Sequence, residues 1–338
     1  MERANAAFYA HHAPREHFRT SLVHADLMAR GLLPYVDAVA ASTSGNELAL
    51  IDIGAGDGSL SAALLRALDE RPVPRSPRVR VIAVDRRPRP PDLDARITWI
   101  RGDAPACVPL VESGVVIAHE WLDDLGVDPV QRRDDGTFTA SAVDDDGHTE
   151  TTTLSDDDAI VGWVQRWWPD ARSVECGARR DEAWRTLVGV LQHGVAVAID
   201  YGHVRGERPN APTLAAYRDG RAHPLALDGS VNITAHVALD ACAAAASSTQ
   251  EVTGTWLIRQ SQALGASAAA ECEAGSSDSG VSLALHELAA RSRWSELVDP
   301  KGLGAHWWLV QSVRIDAQAL TQLPGEPVAG KPHGSIGV

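Results

Sequence analysis

No run of about 18 apolar residues occurs anywhere in the chain, so no helical membrane span and no membrane partner are expected. The first twenty residues also lack the apolar centre of a secretory signal. Cysteine is scarce. Cys107, Cys176, Cys242 and Cys272 are the four, far apart and in no CxxC pair. That excludes a disulfide framework and argues for reduced thiols in a cytoplasmic protein. His11, His12, His17 and His24 crowd one segment without a matching carboxylate pattern, so no metal is expected. Positive charge is in deficit: the formal net charge is −14, which excludes non-specific nucleic-acid binding. Between Asp134 and Asp158 there is no Lys or Arg. This acidic stretch reads as the solvated face of a β-hairpin, or as an electrostatic lure for a protein substrate with a basic segment.

The 338 residues, 44% of them hydrophobic, suffice for one large domain with an insertion. Residues 1–41 are helical in pattern, with Phe18, Leu22, Leu27 and Leu32 spaced for one apolar face. From residue 42 to 202, strand and helix patterns alternate, the signature of a parallel sheet. Strands are expected at Leu48–Ile53, Val79–Asp85, Ile97–Arg101, Val115–Glu120 and Val195–Asp200. A β-hairpin turning at Asp146–Gly147 is expected as an insertion near 131–155. Residues 203–304 are expected to form a substrate lobe, loop-rich from His203 to Asp228 and with an Ala-rich helix at Ala235–Ala246. Residues 305–322 carry a final core strand, and 323–338 read as a frayed tail. No internal repeat is found. The fold class is α/β: a doubly wound, mostly parallel, Rossmann-like sheet with an N-terminal helical segment and an inserted lobe.

The most informative segment is Leu50-Ile51-Asp52-Ile53-Gly54-Ala55-Gly56-Asp57-Gly58. An apolar strand enters a turn of alternate glycines, and a helix follows. Such glycines permit a tight turn and a close approach of backbone to ligand. A dinucleotide site needs its third glycine at position 59, which is Ser59. Asp52 and Asp57 also put negative charge where a pyrophosphate would sit. S-adenosylmethionine has no phosphate and carries a sulfonium and an ammonium, so it suits the carboxylates. Asp85 ends the next strand, placed to bond the ribose hydroxyls, and Asp103 follows the third, placed to accept from the adenine amino group. Either Asp could instead cap a helix.

Further along, Val116-Ile117-Ala118-His119-Glu120-Trp121-Leu122-Asp123 is similar to the apolar strand and Asn-Glu-x-x-Asp of the MidA-like methyltransferases. That family includes the mitochondrial complex I assembly-factor methyltransferases. Ala198-Ile199-Asp200-Tyr201-Gly202 resembles its Asp-Tyr-Gly strand end, and Thr213-Leu214-Ala215-Ala216-Tyr217-Arg218 its Thr-Leu-Arg-Ala-Tyr. Asn232-Ile233-Thr234-Ala235-His236-Val237 resembles its Asp-Ile-Thr-Ala-His-Val. Asp299-Pro300-Lys301-Gly302-Leu303-Gly304 is similar to its closing Asp-Pro-x-Gly-Leu-Gly. The resemblance covers nearly the whole chain. It implies a methyltransferase sheet with an added lobe, and protein methylation with arginine as acceptor. The sequence departs from the family at His119 for Asn, Ala215 for Arg and Asn232 for Asp, and Glu16-His17-Phe18-Arg19-Thr20 only echoes an N-terminal motif.

Methyl transfer is an in-line displacement, so positioning supplies much of the rate. A guanidinium is charged at any working pH, and carboxylates can hold it bidentately and collect its proton. Ligands of such sheets gather at the C-terminal strand ends. The candidate catalytic residues are therefore Glu120 and Asp123, placed together by a helical turn, with Asp200 and His119, the last as base or as a structural His. Tyr201, Tyr217 and His236 are candidate substrate contacts. Two other functions fit the same residues: a cofactor-binding assembly or scaffold protein with a decayed acceptor site, and a small-molecule methyltransferase.

Overall fold

The computed structural model describes residues 1–12, 20–71, 77–143, 149–248, 251–265, 281–316 and 320. Phe18, the Asp146–Gly147 turn, Cys272 and the 323–338 tail lie outside the described residues.

The strand patterns pair as a seven-stranded sheet. Its members are β1 (Glu47–Ile53), β2 (Arg78–Asp85), β3 (Thr98–Arg101), β4 (Gly114–His119), β9 (Gly194–Asp200), β15 (Val252–Arg259) and β16 (Trp307–Val313). The order is β15-β16-β9-β4-β1-β2-β3. The five strands from β3 to β9 are parallel, while β16 runs antiparallel to both β9 and β15. Successive strand residues face opposite sides, so each strand divides between two apolar layers. Leu50, Val81, Val115, Ile117 and Val197 pack with α2 (Ala25–Ser42) and α3 (Ser59–Asp69). Ile51, Ile53, Ile82, Val116 and Ala198 pack on the other face with α5 (Ala178–Val188) and α6 (Leu239–Ser247). The continuous apolar runs in the sequence are strands buried on both sides.

Three expectations of organisation need correction. The N-terminal segment is interrupted: α1 (Glu2–His11) and α2 are separate, and a 3-10 turn at Ser21–His24 leads into α2. The insertion is larger than a hairpin at 131–155. It comprises β5 (Asp128–Arg132), β6 (Phe138–Val143), β7 (Thr149–Thr153) and β8 (Ser173–Cys176) in the order β7-β6-β5-β8, with α4 (Ala159–Trp167) packed beside it. The residues of β8 were hidden because four residues are too few to show an alternation. The lobe is smaller than 203–304, because α6 covers the main sheet and β15 is one of its edge strands. What stands apart is β10 (Gly202–His203) paired with β14 (Val237–Ala238), and a three-stranded sheet of β11 (Ala215–Arg218), β12 (Arg221–His223) and β13 (Asn232–Thr234). A last helix, α7, spans Val281–Val298. No described helix is long and apolar enough to cross a membrane.

One buried cation ties the lobe to the core. Arg180 of α5 is 1% exposed, and its guanidinium donates to the carbonyls of Asp123, Leu125, Ala235 and His236. A hydropathy reading places an Arg of a polar helix in solvent, so this role leaves no local signature. Arg180→Leu is expected to destabilise the protein by about 3–5 kcal/mol, because buried acceptors and nearby acids lose their cation. Urea unfolding checks it, and an unchanged midpoint would contradict the assignment.

Candidate active site

At the C-terminal ends of β1, β2, β4 and β9 lies a cavity of about 1000 Å³. One end is the glycine turn. Gly54, Gly56 and Gly58 have φ of 65°, 62° and 77°, left-handed values that favour glycine. A Cβ at Gly54 would stand 2.8 Å from Trp121 Cδ1, and one at Gly56 3.2 Å from the Arg87 guanidinium. The Ser59 amide donates to Asp57 Oδ1 at 3.0 Å, so Asp57 closes the turn into α3. Asp85 Oδ2 accepts from the Gly56 amide at 2.8 Å and Oδ1 from the Arg87 amide at 2.8 Å, and the side chain lines the cavity.

Two other acids named from the sequence are not on this wall. Asp52 is 2% exposed and accepts from Ser61 Oγ at 2.6 Å; burial pushes its carboxyl up to about 7. It braces the turn against α3 from behind, because strand alternation directs it into the helix layer. Asp103 is also displaced. Its carboxylate is exposed, pairs with Arg86 and does not line the main cavity. On this side the cavity is lined instead by Arg86, Arg87, Arg101 and Gly102.

The other end is acidic. Glu120, Asp123 and Asp124 all line the cavity. They sit on a turn rather than the expected helical turn, and Glu120 takes a φ of 46°. Its amide is fixed by the Ile199 carbonyl at 2.7 Å. Such strain in a non-glycine residue persists only where surroundings impose it. Burial favours a protonated Glu120, but His119 when protonated, His306 and the Ser21 amide outweigh it and hold the carboxyl below its ordinary range. Asp123 is buried, its Oδ1 has no hydrogen-bond partner among the described residues, and burial with the neighbouring Asp200 charge raises its carboxyl. Asp124 accepts from the Asn232 side chain at 3.1 Å and from Tyr9; burial raises it to about 6.

Asp200, expected to be catalytic, is fully buried and off the cavity wall. Its Oδ2 accepts from the Leu122 and Asp123 amides at 2.9 and 3.2 Å, so it holds the turn that presents Glu120 and Asp123. His119 reaches the cavity, but its Nε2 is engaged by Ser21 Oγ at 2.6 Å, and burial lowers its pKa, so the ring stays neutral. That removes it as a free base.

Tyr201, Tyr217 and His236 line the cavity. Thr213 joins them to the insertion: its side chain and amide donate to Glu175, and its Oγ1 accepts from the His236 amide at 2.9 Å. The remaining wall is α1, which sequence reasoning missed. Glu2, Asn5, Ala6 and Tyr9 face the cavity. The Asn5 side chain pairs with both the carbonyl and amide of Ile233, at 2.7 and 2.8 Å, docking α1 on β13. The only available signal was a polar Asn and Tyr among the apolar positions of a helical segment. Among the described residues, no group of His, Cys, Asp and Glu is arranged to hold a metal.

A family model for S-adenosyl-L-methionine-dependent methyltransferases matches residues 27–258. The chain belongs to this family. Two solved structures share the methyltransferase fold. A COG1565 superfamily protein from Burkholderia thailandensis bound to S-adenosyl-homocysteine is 24% identical, with a TM-score of 0.72 over 91% of this chain and 82% of that one. A native crystal structure of a COG1565 superfamily protein from the same organism is 24% identical, with a TM-score of 0.69 over 90% of this chain and 84% of that one. No curated protein matched. The enzyme is thus an S-adenosylmethionine-dependent methyltransferase, and its cofactor fits the observed cradle: left-handed glycines that a side chain would obstruct, beside the Asp85 carboxylate.

Asp85→Ala is expected to weaken cofactor binding by roughly 1–3 kcal/mol, the cost of losing a charged hydrogen-bond partner. Deoxyribose analogues of the cofactor should lose that difference between wild type and variant. Equal discrimination of the ribose hydroxyls by both proteins would limit Asp85 to holding Gly56.

Proposed function

We propose that this methyltransferase modifies a protein side chain, with an arginine guanidinium as acceptor, as in the MidA-like enzymes its motifs resemble. The single observation that carries the reading is the buried Asp123 Oδ1, without a hydrogen-bond partner among the described residues, on the wall of the same cavity as the glycine turn. A buried carboxylate oxygen without a donor is costly. A guanidinium supplies several donors in a planar fork and a charge that opposes the like-charge repulsion among these acids.

The cofactor, when bound, supplies an electrophilic methyl group on a sulfonium. The chain's own residues do the rest. Asp123 and Asp124 grip the acceptor, and Glu120, kept ionised, receives the proton its nitrogen gives up as the N–C bond forms in exchange for the methyl's bond to sulfur, whose electron pair stays on sulfur. Asp200 keeps the turn in place through two amides. Tyr201, Tyr217 and His236 line the approach from the lobe, where the flanking peptide would lie. The acidic stretch from Asp134 to Asp158 favours a basic partner by long-range attraction.

The test is transfer of a labelled methyl group to arginine-rich peptides, lysine-rich peptides and a panel of small amines, followed by amino-acid analysis. Methylarginine is the expected product. Label confined to small amines supports the metabolite enzyme, and no label in any acceptor, with the cofactor bound, supports the scaffold protein.

A further inference from the structure

We infer that His306 is a positioning residue for methyl transfer: its imidazolium clamps Glu120 from behind and keeps that carboxylate ionised and aimed into the cavity. This rests on Glu120 being the proton acceptor of the proposed reaction, but it concerns a residue that no sequence motif or matched family segment assigns, since the matched region ends at residue 258.

The geometry begins with a tautomer. His306 is fully buried, and its Nδ1 lies 2.6 Å from the Leu303 carbonyl. A carbonyl only accepts, so Nδ1 carries a hydrogen. A second hydrogen on Nε2 makes the ring an imidazolium. Nε2 lies 3.3 Å from Glu120 Oε1, off the hydrogen-bond line, and has no hydrogen-bond partner among the described residues. A neutral ring would leave a bare nitrogen lone pair facing a carboxylate. A charged one makes an ion pair in a dry setting.

The surrounding groups favour the charged form. The titratable or charged neighbours are His119 and Glu120 at the end of β4, Asp200 and Tyr201 at the end of β9, and Arg259 of β15, whose guanidinium donates to the Ala305 carbonyl at 2.7 Å. Burial opposes charge on His306, but the close Glu120 carboxylate, the Leu303 carbonyl and Asp200 outweigh it and raise the pKa. His119 cannot supply the charge, because burial lowers its pKa. At neutral pH the cation that holds Glu120 ionised is therefore His306. Its ring also lies 3.8 Å from the Tyr201 ring, centroid to centroid. The turn at Asp299–Gly304 thus acts at the site through one side chain: it places His306 just before β16, beneath both a carboxylate and a cavity-lining tyrosine.

The sign follows. Glu120 with its partner titrates low; without the imidazolium its pKa rises, and the carboxylate is lost at a higher pH. Two measurements on the full-length protein test this. Histidine-selective NMR needs no methyl acceptor: His306 should carry hydrogens on both nitrogens at pH 7, and Glu120→Gln should lower its pKa by at least about one pH unit. A ring that is neutral at pH 7, or a titration unmoved by Glu120→Gln, would overturn the proposal. The second is the pH profile of methyl transfer by His306→Gln, with the arginine peptide that the acceptor screen yields. Its acidic limb should move up by about one pH unit or more, with unchanged cofactor affinity. An unmoved limb would overturn it too. Because the NMR result does not depend on turnover, a failed acceptor screen would count against the arginine reading and leave the His306 assignment to be decided on its own data.

Discussion

Glu120→Gln is expected to reduce turnover at least about 10²-fold, the usual scale for a positioned acid–base group, with cofactor affinity nearly unchanged. The amide keeps the size of the side chain and removes its charge, so packing in this buried corner is preserved. The backbone at residue 120 is held by the Ile199 carbonyl and does not depend on the carboxylate. The effect should fall on kcat in single-turnover methylation, since the residue is asked to act on the acceptor's proton and not on the adenosine end. Full activity in this variant would remove Glu120 from the chemistry. His119→Asn, which restores the residue of the resembling family, should be tolerated, because His119 is neutral and engaged by Ser21.

Gly56→Val is expected to abolish cofactor binding. The residue has a φ of 62°, and an L side chain there costs of order 1–3 kcal/mol of strain. A β-branched residue is the worst case. Its added atoms would also meet the Arg87 guanidinium, already 3.2 Å from an ideal Cβ. The Asp85 contact to the Gly56 amide would be disturbed with it. Calorimetric titration with S-adenosylmethionine and S-adenosylhomocysteine should show micromolar-range binding to wild type, none to the variant, and no binding of NAD to either. Unchanged affinity in Gly56→Val would mean that the cradle lies elsewhere.

The parallel sheet was legible because its strands are buried on both faces and read as unbroken apolar runs. The glycine turn was legible because only glycine accepts those backbone angles cheaply. Strand-end logic found Asp85, Glu120 and Tyr201, which line the cavity. The same logic misplaced Asp52, Asp103 and Asp200. It identifies the end of the sheet but not the side to which a carboxyl points, and here two of the three are internal braces. Asp124, Tyr9, Asn5, Arg180 and His306 were out of reach for another reason. Each joins the site through contacts across more than fifty residues of chain, and local pattern carries no record of such pairings. The edge strand β15 carried no clear pattern, because its eight residues mix buried Trp256 and Ile258 with polar neighbours.

The central claim is that one cavity brings the cofactor's reactive centre to the Glu120–Asp123–Asp124 end. A crystal structure of the complex with S-adenosylhomocysteine tests it most directly, and needs no knowledge of the acceptor. The account predicts the ribose against Asp85, the adenine beside Arg101 and Gly102, and the sulfur facing Glu120 and Asp123 across open space. A ligand seated away from the Gly54–Gly58 turn, or a sulfur turned away from those carboxylates, would contradict it.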